Sequence, residues 1–149
     1  MNVKSIAKQA PAEKARRGMA ATELVVVLPL FLLILLGAVD FGRFAVRSIA
    51  VANAARAGAG YGIVQPFTPS TQGIWTANVR QAVVDEMQPL FDGLFGDANL
   101  TVTTVTTTDP GIRLRVRVTV TFPFQTLFDW PGIPHLTDIT QVAEMRAVR

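Results

Sequence analysis

The sequence predicts an α+β chain: a long N-terminal helix able to cross a membrane, then a small helix and an antiparallel β-sheet head. Three observations predict it. Residues 24–39 read LVVVLPLFLLILLGAV, sixteen residues without a charge. Residues 112–122 alternate strictly between apolar side chains and arginine or threonine, the period of a half-buried antiparallel strand. Residues 74–88 carry apolar positions at helical spacing. The chain has 149 residues, half of them apolar, enough for one modest domain beside the apolar segment. Its mean hydropathy of +0.35 is high for a soluble domain and reflects that segment.

The first element is basic. Residues 1–18 hold Lys4, Lys8, Lys14, Arg16 and Arg17 against Glu13, five basic groups to one acidic, a net of +4. The remainder has nine arginines, no lysine and ten acidic residues, a net of −1. A pI near 10 would otherwise suggest a nucleic-acid partner. Here the excess sits on a short leader, so no nucleic acid is expected and the charge bears on membrane orientation.

The helix follows. Taken from Met19 to Val39 it has 21 residues, about 31 Å at about 1.5 Å per residue, which matches a hydrocarbon core of about 30 Å. Five basic residues precede it, against Arg43, Arg47 and the more distant Arg56 after it, which favours a cytoplasmic N-terminus and an extracytoplasmic remainder. A secretory signal cut at the far end of the run is the alternative. Against it, the run is long, Leu36 stands where a cleavage site needs a small residue, and the helical pattern continues past Val39.

At the near end, RRGMAATE puts a glycine directly before the apolar helix and a glutamate at the fifth residue after it. A carboxylate within a membrane segment is rare and costs on the order of a few kcal/mol near the bilayer centre. Glu23 lies only about 6 Å deeper than Met19, so one reading keeps it hydrated at the surface. The other is a cut between Gly18 and Met19. The new α-amino group, with a pKa of about 8, would then neutralise Glu23 of a neighbouring copy. The cut would also remove the cations of Lys14, Arg16 and Arg17 that hold the helix end at the cytoplasmic surface.

A basic leader ending in glycine, glutamate at the fifth position after it and a long apolar helix together resemble the type IV pilins and pseudopilins. Within that class, RRGMAATELVVVLPLFLLILLGAVDFGR resembles the TadE-like proteins of the tight-adherence (Flp) pilus system, and NAARAGAGYG resembles the small-residue tract that follows there. The resemblance covers residues 16–62. It implies a pilin-like fold and a minor pseudopilin, bound to the inner membrane, that is needed to build the pilus. Its implied partners are a prepilin peptidase, other pilin or pseudopilin subunits, the assembly machinery and membrane lipid. Gly18 would be the last leader residue, Met19 the mature N-terminus and Glu23 the assembly carboxylate. One departure is Met19, where type IV pilins place phenylalanine.

The remaining elements complete the head. The helix is expected to run to Gly62, with Asp40, Arg43 and Arg47 as one polar stripe. Six alanines and three glycines occupy residues 50–62. Such a tract packs closely either on its own domain or on helices of other subunits. Residues 63–73, with two prolines, read as a loop between the long helix and the 63–149 head. A helix over 74–88 follows, with Val79, Ala82, Val83, Met87 and Leu90 on one face and Pro89 as its limit. Residues 100–108 and 112–122 form a hairpin around Asp109-Pro110-Gly111. Its first arm changes phase between Val102 and Val105, which suggests a bulge or a loosely held edge. Residues 139–149 read equally as a third strand or a short helix.

Little in the chain points to chemistry. Without cysteine there is no thiol nucleophile, disulfide or cysteine-ligated metal. His135 is the single histidine and stands in no recognisable nucleophile context. Asp92, Asp97 and Asn99 lack calcium-loop spacing. No catalytic residue, metal or cofactor is therefore expected. The Arg113, Arg115 and Arg117 row reads as a solvated sheet face or a polyanion contact. Phe122, Phe124, Phe128 and Trp130 read as core under a Trp130-Pro131-Gly132 turn or as a contact patch. Two other functions stay open: an unprocessed single-pass protein whose head binds a ligand or partner, and a secreted module released by signal peptidase.

Overall fold

The computed structural model describes residues 10–65, 67–91, 100–109 and 113–146. The order is α1 (Ala10–Val64), α2 (Gln72–Phe91), β1 (Thr101–Asp109), β2 (Arg113–Gln125) and β3 (Leu136–Arg146). The fold is thus α+β with a membrane-capable helix, as the sequence predicts. By compactness the chain divides into Met1–Val39 and Asp40–Arg149.

In the first unit the described structure is α1 alone. Residues 21–35 are all exposed within the chain, and the helix is long and apolar enough to cross a membrane. A helix that is apolar all round and has no protein against it requires lipid or other helices around it. Pro29 lies inside α1 without ending it. It removes one backbone hydrogen bond, a loss that membrane helices tolerate.

In the second unit the rest of α1 and α2 cover one face of a sheet with order β1-β2-β3, antiparallel throughout. Strict alternation along β2 sends Val116, Val118, Val120, Phe122 and Phe124 into the core, where they meet Val51, Ala54, Ala55 and Ala59 of α1. Trp75, Val79, Val83 and Met87, four residues apart on α2, complete it. Leu90 and the Asp92, Asp97 and Asn99 group lie outside the described side chains.

The small-residue tract packs within this unit. A Cβ added to Gly58 would lie 2.5 Å from Val83 Cγ2 and 3.4 Å from Val118 Cγ1, and one on Gly62 would lie 2.9 Å from Val116 Cγ1. Of the two readings, packing on its own domain is the one these contacts support.

Several boundaries differ from the sequence reading. α2 begins at Gln72 because Thr71 acts as its N-cap: the Thr71 carbonyl accepts the Trp75 N–H at 3.0 Å. The helix also runs past Pro89 to Phe91. The β1–β2 register is unbroken from Thr101↔Thr121 to Asp109↔Arg113, so there is no bulge. Val102 and Val105, an odd number of residues apart, point to opposite faces, the first half-buried and the second exposed. β1 is an edge strand, as the alternative had it. β2 extends to Gln125, with Pro123 beyond the part that β1 covers. The tail is a strand, β3. Residues 110–112 of the expected turn and residues 147–149 lie outside the described residues.

On the sheet's outer face Glu144 holds Arg115 at 2.8 Å and Arg117 at 2.6 Å. Arg117 before all, opposed by slight burial, holds the Glu144 carboxyl below its usual range. For Arg115 and Arg117 this is the solvated, cross-strand-paired face of the first reading. The Arg113 side chain lies outside those described.

Candidate functional site

Lys14, Arg16, Arg17, Gly18, Met19 and Glu23 all lie on α1, with no break at Gly18 or Met19, while Lys4 and Lys8 lie outside the described residues. The side chains of Lys14, Arg16 and Arg17 lie outside those described. Met19 is exposed, and the Thr22 hydroxyl donates to its carbonyl at 2.7 Å, so Thr22 is satisfied within its own helical turn. Glu23 is exposed, and among the described residues none supplies it with a hydrogen bond or ion pair. Its carboxylate sits on an apolar helix surface whose next charged residue along the chain is Asp40.

Asp40 is handled quite differently. Its side chain is buried, 6 % exposed, and both oxygens are engaged. Oδ1 accepts the Leu127 backbone N–H and an Arg43 guanidinium N–H, each at 3.0 Å. Oδ2 accepts the Trp130 indole N–H at 2.9 Å. Burial alone would raise the Asp40 pKa. The hydrogen bonds from Trp130, Leu127, Arg43 and the Phe128 backbone outweigh it, and the carboxyl is held below its ordinary range.

Two turns further on, Arg47 is 4 % exposed, with its guanidinium 5.4 Å above the Phe122 ring and 5.3 Å above that of Phe124. Burial, then repulsion from Arg43, lowers the Arg47 pKa. The stripe of Asp40, Arg43 and Arg47 therefore faces the end of β2 and the loop that follows it. Sequence spacing predicted the stripe. Its partners lie far away in the chain, with separations of 87 and 90 for the Asp40 bonds, and no local pattern reveals them.

The held loop contains a tight turn. The Ile133 N–H donates to the Trp130 carbonyl at 3.2 Å, and Gly132 has φ +86°. Proline at the second position and a left-handed glycine at the third make this a type II turn. The four aromatic residues divide: Phe122 and Phe124 are core, while Phe128 is exposed and Trp130 half-buried.

His135 lies near Thr126 and Asp129 without forming a nucleophile relay. Gln125 Nε2 approaches its Nε2 at 2.7 Å, so that ring nitrogen accepts. Its Nδ1 faces both Thr126 Oγ1 at 3.0 Å and Asp129 Oδ1 at 2.9 Å. A serine-type relay needs hydroxyl and carboxylate on opposite ring nitrogens, and here they share one. The cluster ties the loop ends together, where the Thr126 N–H also donates to the His135 carbonyl at 3.1 Å.

No curated protein and no solved structure matches the chain. The family model for the TadE-like proteins matches residues 18–60, a span that opens on Gly18 and contains Glu23, the apolar helix and the Asp40–Arg47 stripe. Through residues 18–60, under a third of its length, the chain is therefore similar to the TadE-like proteins.

Proposed function

We propose that the chain is a minor pseudopilin, an assembly subunit rather than an enzyme, seated in the bacterial inner membrane with its N-terminus cytoplasmic and its head outside. A prepilin peptidase cuts after Gly18. The new amine at Met19 pairs with Glu23 of a neighbouring pilin or pseudopilin and sets the register in which apolar helices join. The observation that carries this reading is Glu23 itself, a carboxylate on the exposed apolar stretch of α1 with no partner among the described residues. Away from water, such a group in a membrane or helical assembly is costly unless a cation is brought to it.

Processing also changes the energetics of leaving the bilayer. Before the cut, the five basic side chains of the leader anchor the helix end to the anionic cytoplasmic surface, each worth about 1 kcal/mol. Afterwards the end carries one positive and one negative charge that a neighbour can satisfy.

Mass spectrometry of the cell-derived protein tests this. A mature N-terminus at Met19 is expected, and Gly18→Val abolishes it. Glu23→Ala leaves processing intact and impairs pilus assembly. An intact leader would instead support the unprocessed single-pass protein, and normal piliation with Glu23→Ala would remove the pairing role.

A further inference from the structure

We infer that the loop between β2 and β3 is a second membrane contact, an amphipathic wedge that lies in the bilayer interface where α1 leaves it. The inference rests on the reading that residues 19–39 span a membrane. Asp40 follows the last residue of that segment directly, and its carboxylate holds the Leu127 amide and the Trp130 indole at 3.0 and 2.9 Å. The loop is thereby tied to the first residue beyond the hydrocarbon.

What the loop presents at that depth is apolar. Leu127, Phe128 and Ile133 are 54, 40 and 59 % exposed, and Leu136, which opens β3 directly after the loop, is 64 % exposed, an unusual density of large apolar side chains for a surface in water. Phe128 stacks edge-on against Trp130 at 6.4 Å. On α1 itself Phe41 is exposed as well. Aromatic residues that have one apolar and one polar side concentrate at the headgroup level of bilayers, and Trp130, with its N–H on Asp40, has that character. The polar groups of the loop are mutually engaged, Asp129 with His135 and His135 with Gln125 and Thr126. They can therefore sit among headgroups while the apolar side chains enter the acyl boundary. The occupant of this surface is lipid, because the surface begins where the spanning segment ends.

The second tryptophan provides an internal reference. Trp75 Cζ2 lies 3.1 Å from where a Gly62 Cβ would be. Gly62 is 22 residues beyond Asp40 on α1, about 33 Å along the helix at about 1.5 Å per residue. The full chain, reconstituted in phosphatidylcholine vesicles brominated near the headgroup end of the acyl chain, is expected to lose about half its tryptophan emission relative to unbrominated vesicles. Trp130→Phe, which keeps Trp75, is expected to lose none. Ile133→Glu, at an exposed position, should cut the quenching at least twofold with an unchanged unfolding midpoint.

Chain that stays with the vesicles through alkaline extraction, yet shows no more quenching than Trp130→Phe, overturns the inference while leaving the span intact. Protection of Trp130 only when other pilus subunits are added assigns the surface to protein and overturns it too. Extraction of the chain from the vesicles removes the span and the inference together.

Discussion

Replacing Asp40 by asparagine changes one atom and separates the two jobs of this side chain, accepting hydrogen bonds and carrying charge. In Asp40→Asn one of the two acceptors becomes an NH₂ donor. The less costly orientation keeps oxygen toward Leu127 and Arg43, both now on Oδ1 at 3.0 Å, and turns the NH₂ toward the Trp130 indole N–H. Two donors then face each other where a charge-assisted bond of 2.9 Å stood. Loss of such a bond costs about 1.5–3 kcal/mol, and the weakened pair with Arg43 adds up to about 1 kcal/mol. A destabilisation of about 2–4 kcal/mol is expected, a fall in unfolding midpoint of roughly 10 °C. Denaturation of the full chain in detergent measures it, and hydrogen exchange at the Leu127 amide, expected to quicken at least tenfold, locates it. In a double-mutant cycle Asp40→Asn and Trp130→Phe should couple by about 1–2 kcal/mol. A change below about 0.5 kcal/mol, or strict additivity, would refute the account of this contact.

Other outcomes follow from the same structure. Gly58→Leu forces a side chain where a bare Cβ already comes within 2.5 Å of Val83, so a loss of at least about 1–3 kcal/mol is expected in the same denaturation assay. Met87→Ala, at a fully buried position of α2, should cost about 2–5 kcal/mol. Glu144→Gln removes the exposed pairs with Arg115 and Arg117 and should lower the denaturation midpoint only slightly, with less effect still at high salt. The Asp40 and Glu144 carboxyls are both held below their unfolded values. Their stabilisation is therefore fully present above about pH 4–5 and is lost as pH falls through the folded pKa values. In a pH series of denaturation midpoints, Asp40→Asn should show a shallower acid decline than the parent chain.

Much of the fold was legible because its strongest signals are local. An uncharged run of sixteen residues, an eleven-residue alternation and an i, i+4 row on α2 each fix an element without reference to anything distant. β3 was ambiguous because Gln141 and the small Ala143 occupy its inward positions while Leu136 and Val142 face outward, so side-chain polarity misreports burial. The apparent bulge in β1 had a related origin: at an edge strand one valine can face solvent without penalty large enough to break the register. Gly18, Met19 and Glu23 were legible as a motif. The Asp40 contacts were not, since a carboxylate three and seven residues from two arginines reads as a solvated helix stripe until the loop that covers it is in place.

The inner face of α1 between Val51 and Gly62 has a further consequence. Alanine and glycine give a helix surface almost no relief, so the fit is decided by what α2 and β2 bring to it, the methyl groups of Val79, Val83, Val116 and Val118. A surface of that kind acts as a blank mounting rail. It asks of the head that it present valines, and the Trp75 ring at Gly62, at close range, and it makes no demand on the loops or the outer face of the sheet. The matched segment can thus end at residue 60 while the helix it encodes still supplies one wall of the core.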